Sequence, residues 1–200
     1  MKKLTALLLA AVLALSLCSC GAPAGPDGVV KTFCESAKKL DLEAMHSCVN
    51  TDESFEDPTA GLNLEDENVV YLLETAKKYA GQLEYTIGEP AVSENGQNGM
   101  VDVEFTCPTL VPVLGSAAME YMGQAFGQML DQDELTEEEQ LALLVPILKE
   151  KLESAVIETE TVSVTFTCVN LEDGWKIEDT EMEELLSVLT GGLFDFFSEL

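Results

Sequence analysis

The chain contains no arginine. Its ten basic residues are all lysine, set against 37 acidic ones. Without a guanidinium there is no planar fork to clamp a phosphate or carboxylate through paired hydrogen bonds. So acidic a surface also repels nucleic acid and anionic lipid, whose binding depends on lysine and arginine. Histidine is nearly missing as well, His46 being the single one. No serine sits in a nucleophile elbow, and no glycine-rich phosphate loop is present. No apolar run reaches the roughly 20 residues that a spanning helix requires. These absences disfavour nucleotide, nucleic-acid and anionic small-molecule chemistry. Neutral or cationic ligands and protein partners remain open.

What is present begins at the first residues. Lys2 and Lys3 precede an uncharged, mostly apolar run from Leu4 to Leu17, followed by Cys18-Ser19-Cys20-Gly21. A basic start, a short apolar segment and a small residue before the cut predict a secretory signal over residues 1–19. A cysteine directly after the cut resembles the lipobox of bacterial lipoproteins. Ser19 is the small residue at that bond and Leu17 stands three before Cys20, whereas Cys18 follows the bulky Leu17. The resemblance therefore implies that Cys20 is acylated and becomes the first mature residue, with at least two acyl chains, enough for stable anchoring. The mature chain then keeps eight lysines against 37 acids, a net charge of −29.

Residues 20–27, rich in Pro, Gly and Ala, read as a tether. Beyond it, one domain over 28–200 has ordinary hydrophobic content for a folded core. Val29, Val30, Phe33, Cys34, Ala37 and Leu40 recur at helical spacing over 28–40. Asp41 predicts the cap of a second, short helix, and a third is expected over 66–80. Bent strands follow from Leu83. Asn95–Gly99 reads as a hairpin turn, and Pro108 and Pro112 are expected to end the strand after it. Val101, Val103, Phe105 and Cys107 alternate with Asp102, Glu104 and Thr106, and the pattern returns as Val162, Val164, Phe166 and Cys168. Two helices between these strands, within 114–155, form an insertion. Thr136 and Glu139 make a capping box for the second of them, and Pro146 inside it is expected to kink or split it. Trp175-Lys176-Ile177 starts a last strand, and a C-terminal helix follows from Thr180. The fold class expected is α+β: N-terminal helices on a curved antiparallel sheet of about four strands, with a helical insertion and a C-terminal helix.

The opening VVKTFCESAKKLDL (Val29–Leu42) and the closing EDGWKIED (Glu172–Asp179) resemble the nuclear-transport-factor-2-like, cystatin-like cone superfamily, and in particular lipoproteins built on that cone. The resemblance covers about 28–107 and 159–179. It implies a curved sheet wrapped round a long helix to leave a conical pocket. Val101, Val103, Phe105, Val162, Val164 and Phe166 would line it. The insertion and the extra C-terminal helix depart from the family pattern. The superfamily hosts enzymes, binders and interaction modules, so the fold does not decide between them.

None of those lining residues does acid–base chemistry, and no catalytic residue is assigned. His46 shares a stripe with Leu42 and Met45 and reads as a packing residue. Cys34, His46 and Cys48 match no zinc spacing. The acidic clusters at 52–57, 65–67 and 131–139 fail the calcium-loop pattern. No metal or cofactor is therefore expected. Cys34 and Cys48 lie symmetrically about a turn at Asp41, which predicts a disulfide outside the cytoplasm, or two free thiols in a reducing niche. Cys107 and Cys168 read as buried free thiols. The expectation is a lipid-anchored, extracytoplasmic, non-catalytic domain. Its partners would be the membrane, through its anchor, and a small apolar ligand or a protein, but not nucleic acid. A hydrolase or isomerase on the same scaffold and a purely structural envelope lipoprotein are the alternatives. The insertion's apolar stripes, Leu114, Ala118, Tyr121, Met122, Ala125 and Phe126 on its first helix and Leu141, Leu144, Val145 and Leu148 on its second, serve as lid, partner surface or added core. Cys20→Ala should abolish acylation: an alkyne fatty acid fed to cells should label the native chain and not the variant, and a labelled variant would remove Cys20 as the acceptor.

Overall fold

The computed structural model describes residues 25–57, 59–60, 62–129, 135–178, 185, 189 and 191–192. The expected signal segment, Cys20 and most of the expected C-terminal helix lie outside them. Helix α1, Pro26–Ala37, begins inside the expected tether. Pro26 has no N–H to lose in the first turn, and Asp27 faces the positive end of the helix dipole, so both suit a helix start. The helix buries Val29, Val30, Phe33, Cys34 and Ala37. Leu40, at φ 50°, turns the chain into α2, Leu42–Ser47. As expected, Asp41 caps that helix by accepting from the Ala44 N–H at 3.1 Å. Strand β1, Val49–Asn50, and helix α3, Glu67–Ala80, follow.

Strands β2 (Glu84–Ile87), β3 (Ala91–Val92) and β4 (Asn98–Thr109) come next, then helices α4 (Val111–Met129) and α5 (Glu137–Ser154). Strands β5 (Glu158–Leu171) and β6 (Gly174–Glu178) complete the series. The sheet runs β1-β6-β5-β4-β2, with β3 also paired to β4. It holds six strands instead of about four. The two unforeseen strands, β1 and β3, have two residues each, too short for alternation to register. β1 runs parallel to β6, through Val49 opposite Ile177. The α+β class is as expected.

The pairing of β4 with β5 is the longest, from Asn98 opposite Val169 to Thr109 opposite Glu158. Pro108 does not end β4, because β2 begins opposite Thr106 and leaves nothing for a Pro108 N–H to bond on that side. Nor does Pro146 split α5, which runs unbroken from Glu137 to Ser154. Both Pro146 and Ala142, whose carbonyl loses its bond, are exposed, so water replaces the missing donor. The capping box forms: Thr136 Oγ1 accepts from the Glu139 N–H, and Glu139 Oε2 accepts from the Thr136 N–H at 2.9 Å.

Two cores result. In the first, α1 lies on the sheet and Phe33 meets Phe166 edge-on at 5.6 Å, with Phe105 at 6.2 Å from Phe166. Leu185 and Leu189, both helical, are buried in this core. The second joins Tyr79 of α3 to Leu114 and Ala117 of α4 and Ile147 and Leu148 of α5. At the other end of β4, Gly99 admits Pro26: a Cβ there would stand 2.8 Å from the Pro26 ring. Phe33 is 0 % exposed, so Phe33→Ala should lower the unfolding free energy by about 3–5 kcal/mol. Urea denaturation measures it, and a loss under about 1 kcal/mol would contradict this packing.

Candidate functional site

Val101, Val103, Phe105 and Phe166 point inward, as the alternation predicts, and are buried. Val164 packs partly buried against them, and Val162 is half-buried. Phe33 and Val30, both 0 % exposed, fill the volume between α1 and the sheet. Asp102 and Glu104 lie on the wet face, where Asp102 accepts from the Thr165 hydroxyl. Among the described residues the buried polar side chains are Ser36 and Thr75, so no acid or histidine is buried in this core. His46 is half-buried and tilts against Phe55 at 5.6 Å between ring centres.

The bond expected between Cys34 and Cys48 is not formed in this structure. Both are buried free thiols in the same core. The Cys48 thiol instead donates to the Ala44 carbonyl at 3.3 Å, within its own turn of helix. Burial, reinforced by Glu35, pushes the Cys34 thiol up to about 12. Burial also raises Cys48 and Cys107, and it takes Cys168 to about 11. Cys107 and Cys168 sit at opposite ends of the strand pair, Cys107 opposite Glu160 and Cys168 opposite Gly99. Beside α1, the Tyr85 hydroxyl donates to Glu35 Oε1 at 2.6 Å. That bond holds the Glu35 carboxyl below its usual range. Burial and then the same bond raise the phenol.

A concave feature that the sequence pattern did not single out is a cleft of about 420 Å³ between α3 and α5. Tyr71, Glu74, Lys78, Tyr79 and Glu153 are among its walls. The α3 residues recur at three- and four-residue spacing, a face that apolar counting passes over because it is mixed polar and aromatic. Glu74, Lys78 and Glu153 are exposed. The cleft thus presents a charged, wet rim and not the largely apolar enclosure typical of small-ligand sites.

The most unusual surface belongs to α4. Its inward side carries Leu114, Ala117 and Ala125, buried against the neighbouring helices or close to them. Its outward side is apolar too: Val111 is 60 % exposed, Met119 73 %, Met122 60 % and Phe126 67 %. The expected stripe included Met122 and Phe126 and left open whether it formed lid, partner surface or core; here both are exposed. The helix is apolar nearly all round, so periodicity alone could not orient it. Its one charged residue is Glu120, which pairs with Lys151 of α5 at 2.7 Å. The outward half carries no charge at all. Gly115, Gly123 and Gly127 are also exposed, and a Cβ at any of them would meet nothing within 4 Å.

No family model matches the chain, and no curated protein matches it. Among solved structures it is similar to a Bacillus subtilis protein described as a "putative lipoprotein (ycdA)", at 14 % identity and a TM-score of 0.38. The match covers 80 % of this chain and 45 % of that one, so this chain spans less than half of that protein's length. A likeness this distant carries no argument about function. No helix among the described residues is long and apolar enough to cross a membrane.

The thiols give a test of the core. At pH 8 a thiol with a pKa of about 12 is ionised about 10³-fold less than an ordinary one, so Cys34 should react with a thiol reagent orders of magnitude more slowly folded than unfolded. Its folded pKa lies above its unfolded one, so the stability it contributes is complete below about pH 9. That contribution is lost as pH rises toward about 12. Fast native labelling of Cys34 at pH 8 would refute its burial.

Proposed function

We propose that this protein is a lipid-anchored, extracytoplasmic, non-catalytic domain that acts by contact with another protein. The leader and Cys20 support the anchor and the compartment, and the order of helices and strands supports the cone-like reading of the fold. The filled interior counts against a small apolar ligand held between α1 and the sheet. The absence of any acid or histidine from that interior among the described residues counts against a hydrolase or isomerase using it.

The observation that carries the proposal is the exposed apolar side of α4. Single exposed apolar residues are common, but a continuous patch marks a contact surface. Here it occurs on a chain with 37 acidic residues, while the exposed apolar side of α4 itself carries none. Loss of charge together with exposed Met and Phe is the composition of an interface centre, and methionine adapts its shape to a partner. A purely structural envelope role gives no reason to keep such a face exposed.

A photo-crosslinking phenylalanine analogue in place of Met122, introduced in the native cells, should give a covalent adduct with a polypeptide. The same group at Val92, exposed on the β3 edge, should not. Adducts with lipid alone, or equal yields at the two positions, would contradict the proposal.

A further inference from the structure

We infer that the polypeptide meeting the outward side of α4 is a second copy of this chain, in a weak antiparallel pair. The inference rests on the contact reading above and names its partner. Three observations carry it.

The first is charge. A foreign partner of a chain this acidic would ordinarily be basic and would need acids to meet. The outward side of α4 offers none. Two copies, each at −29 once the leader is removed, repel one another over the rest of their surfaces. The uncharged helix side is where they can touch without opposing carboxylates.

The second is self-complementarity. A twofold contact requires one patch to fit itself. With two α4 helices laid antiparallel about an axis through Met119, position 111 of one falls against 127 of the other, 112 against 126, 115 against 123 and 116 against 122. Val111 then meets glycine, Phe126 meets proline and Met122 meets serine. Gly115 and Gly123 face each other, and their open Cβ positions let the two backbones come close. At each of these mixed pairs a bulky side chain falls opposite a smaller or more compact one, so the helices can interdigitate. A parallel arrangement sets Met122 on Met122 and Phe126 on Phe126 and lacks this fit.

The third is size. The 19 residues of α4 make a helix about 28 Å long and 10–12 Å across. Two such faces cover on the order of 1,000 Å² in total, the low end for specific association, where contacts are weak and transient. A twofold axis also returns both N-termini to the same level along it. Two tethers can therefore reach one membrane.

The test uses the full acylated chain in its membranes. Met119 lies at the axis and is exposed, so Met119→Cys should be joined by a short bismaleimide into a species of twice the chain mass. The cysteines of the described residues are buried, so background is low, and Val156→Cys, also exposed, serves as the control on another face. Raising NaCl from 0.05 to 0.5 M should increase the doubled species several-fold, because salt screens the repulsion between copies. Adding Phe126→Glu should reduce it at least tenfold. Both substitutions are at exposed sites, and an unchanged thermal midpoint checks that folding is intact. Cross-linking at position 119 no greater than at 156, or unaffected by Phe126→Glu, would overturn the inference. An adduct of another mass would overturn the second copy and leave the contact reading standing. No adduct of any mass at 119, together with none from the photo-probe at 122, would overturn both.

Discussion

The structure depends on the antiparallel pairing of β4 with β5, twelve residues against twelve. A pairing this long is normally closed by a tight turn. Here 48 residues intervene between Thr109 and Glu158, so its alignment rests on the strands themselves. The alternation of Val101, Val103 and Phe105 against Phe166, Val164 and Val162 provides it. A one-residue slip would turn every one of those side chains to water. Once that register holds, the chain between the strands must leave and return at one end of the pair, which is where α4 and α5 form the second core with α3.

This division of labour explains the location of the unusual chemistry. The first core, under α1, is packed with aromatics. Its buried thiols act as small apolar side chains. The second core lies at the end of the long strands and needs only one side of α4. Nothing about that packing requires Met119, Met122 or Phe126, which contribute nothing to it while exposed. An apolar side chain left in water gives up roughly 1.5–3 kcal/mol of burial it could have had. That is an incentive to cover the face.

Much of the fold could be read from local chemistry. Asp41, the Thr136–Glu139 box, the Asn95–Gly99 turn and the alternation of β4 and β5 each act over a few residues, and each appears where the residue types require. What could not be read depended on distant groups. β1 exists because β6 lies beside it. Pro108 stays in its strand because β2 starts at Glu84. The orientation of α4 depends on which of its two apolar sides meets α3 and α5, and both read alike in a helical count. The candidate surface was therefore visible as residues, while the choice between core and contact was left open. Of the residues expected to line the conical pocket, Val101, Val103, Phe105 and Phe166 face inward as the alternation required, and Phe33 of α1 packs among them.

The seat of Pro26 against Gly99 has a geometric consequence. It places Pro26, six residues after Cys20, at one end of β4. The ten residue steps from Gly99 to Thr109 span about 34 Å at strand rise, and α4 begins two residues further on. With Cys20 in a bilayer, β4 becomes a mast with the helix at its top. At physiological salt, 34 Å is roughly four screening lengths, so the head of the mast no longer senses the lipid charge, while the acidic flanks near its foot are pushed from it. Under the proposed anchoring at Cys20, attachment at the foot and repulsion just above it would hold such a body upright and carry α4 level with its neighbours, clear of the membrane.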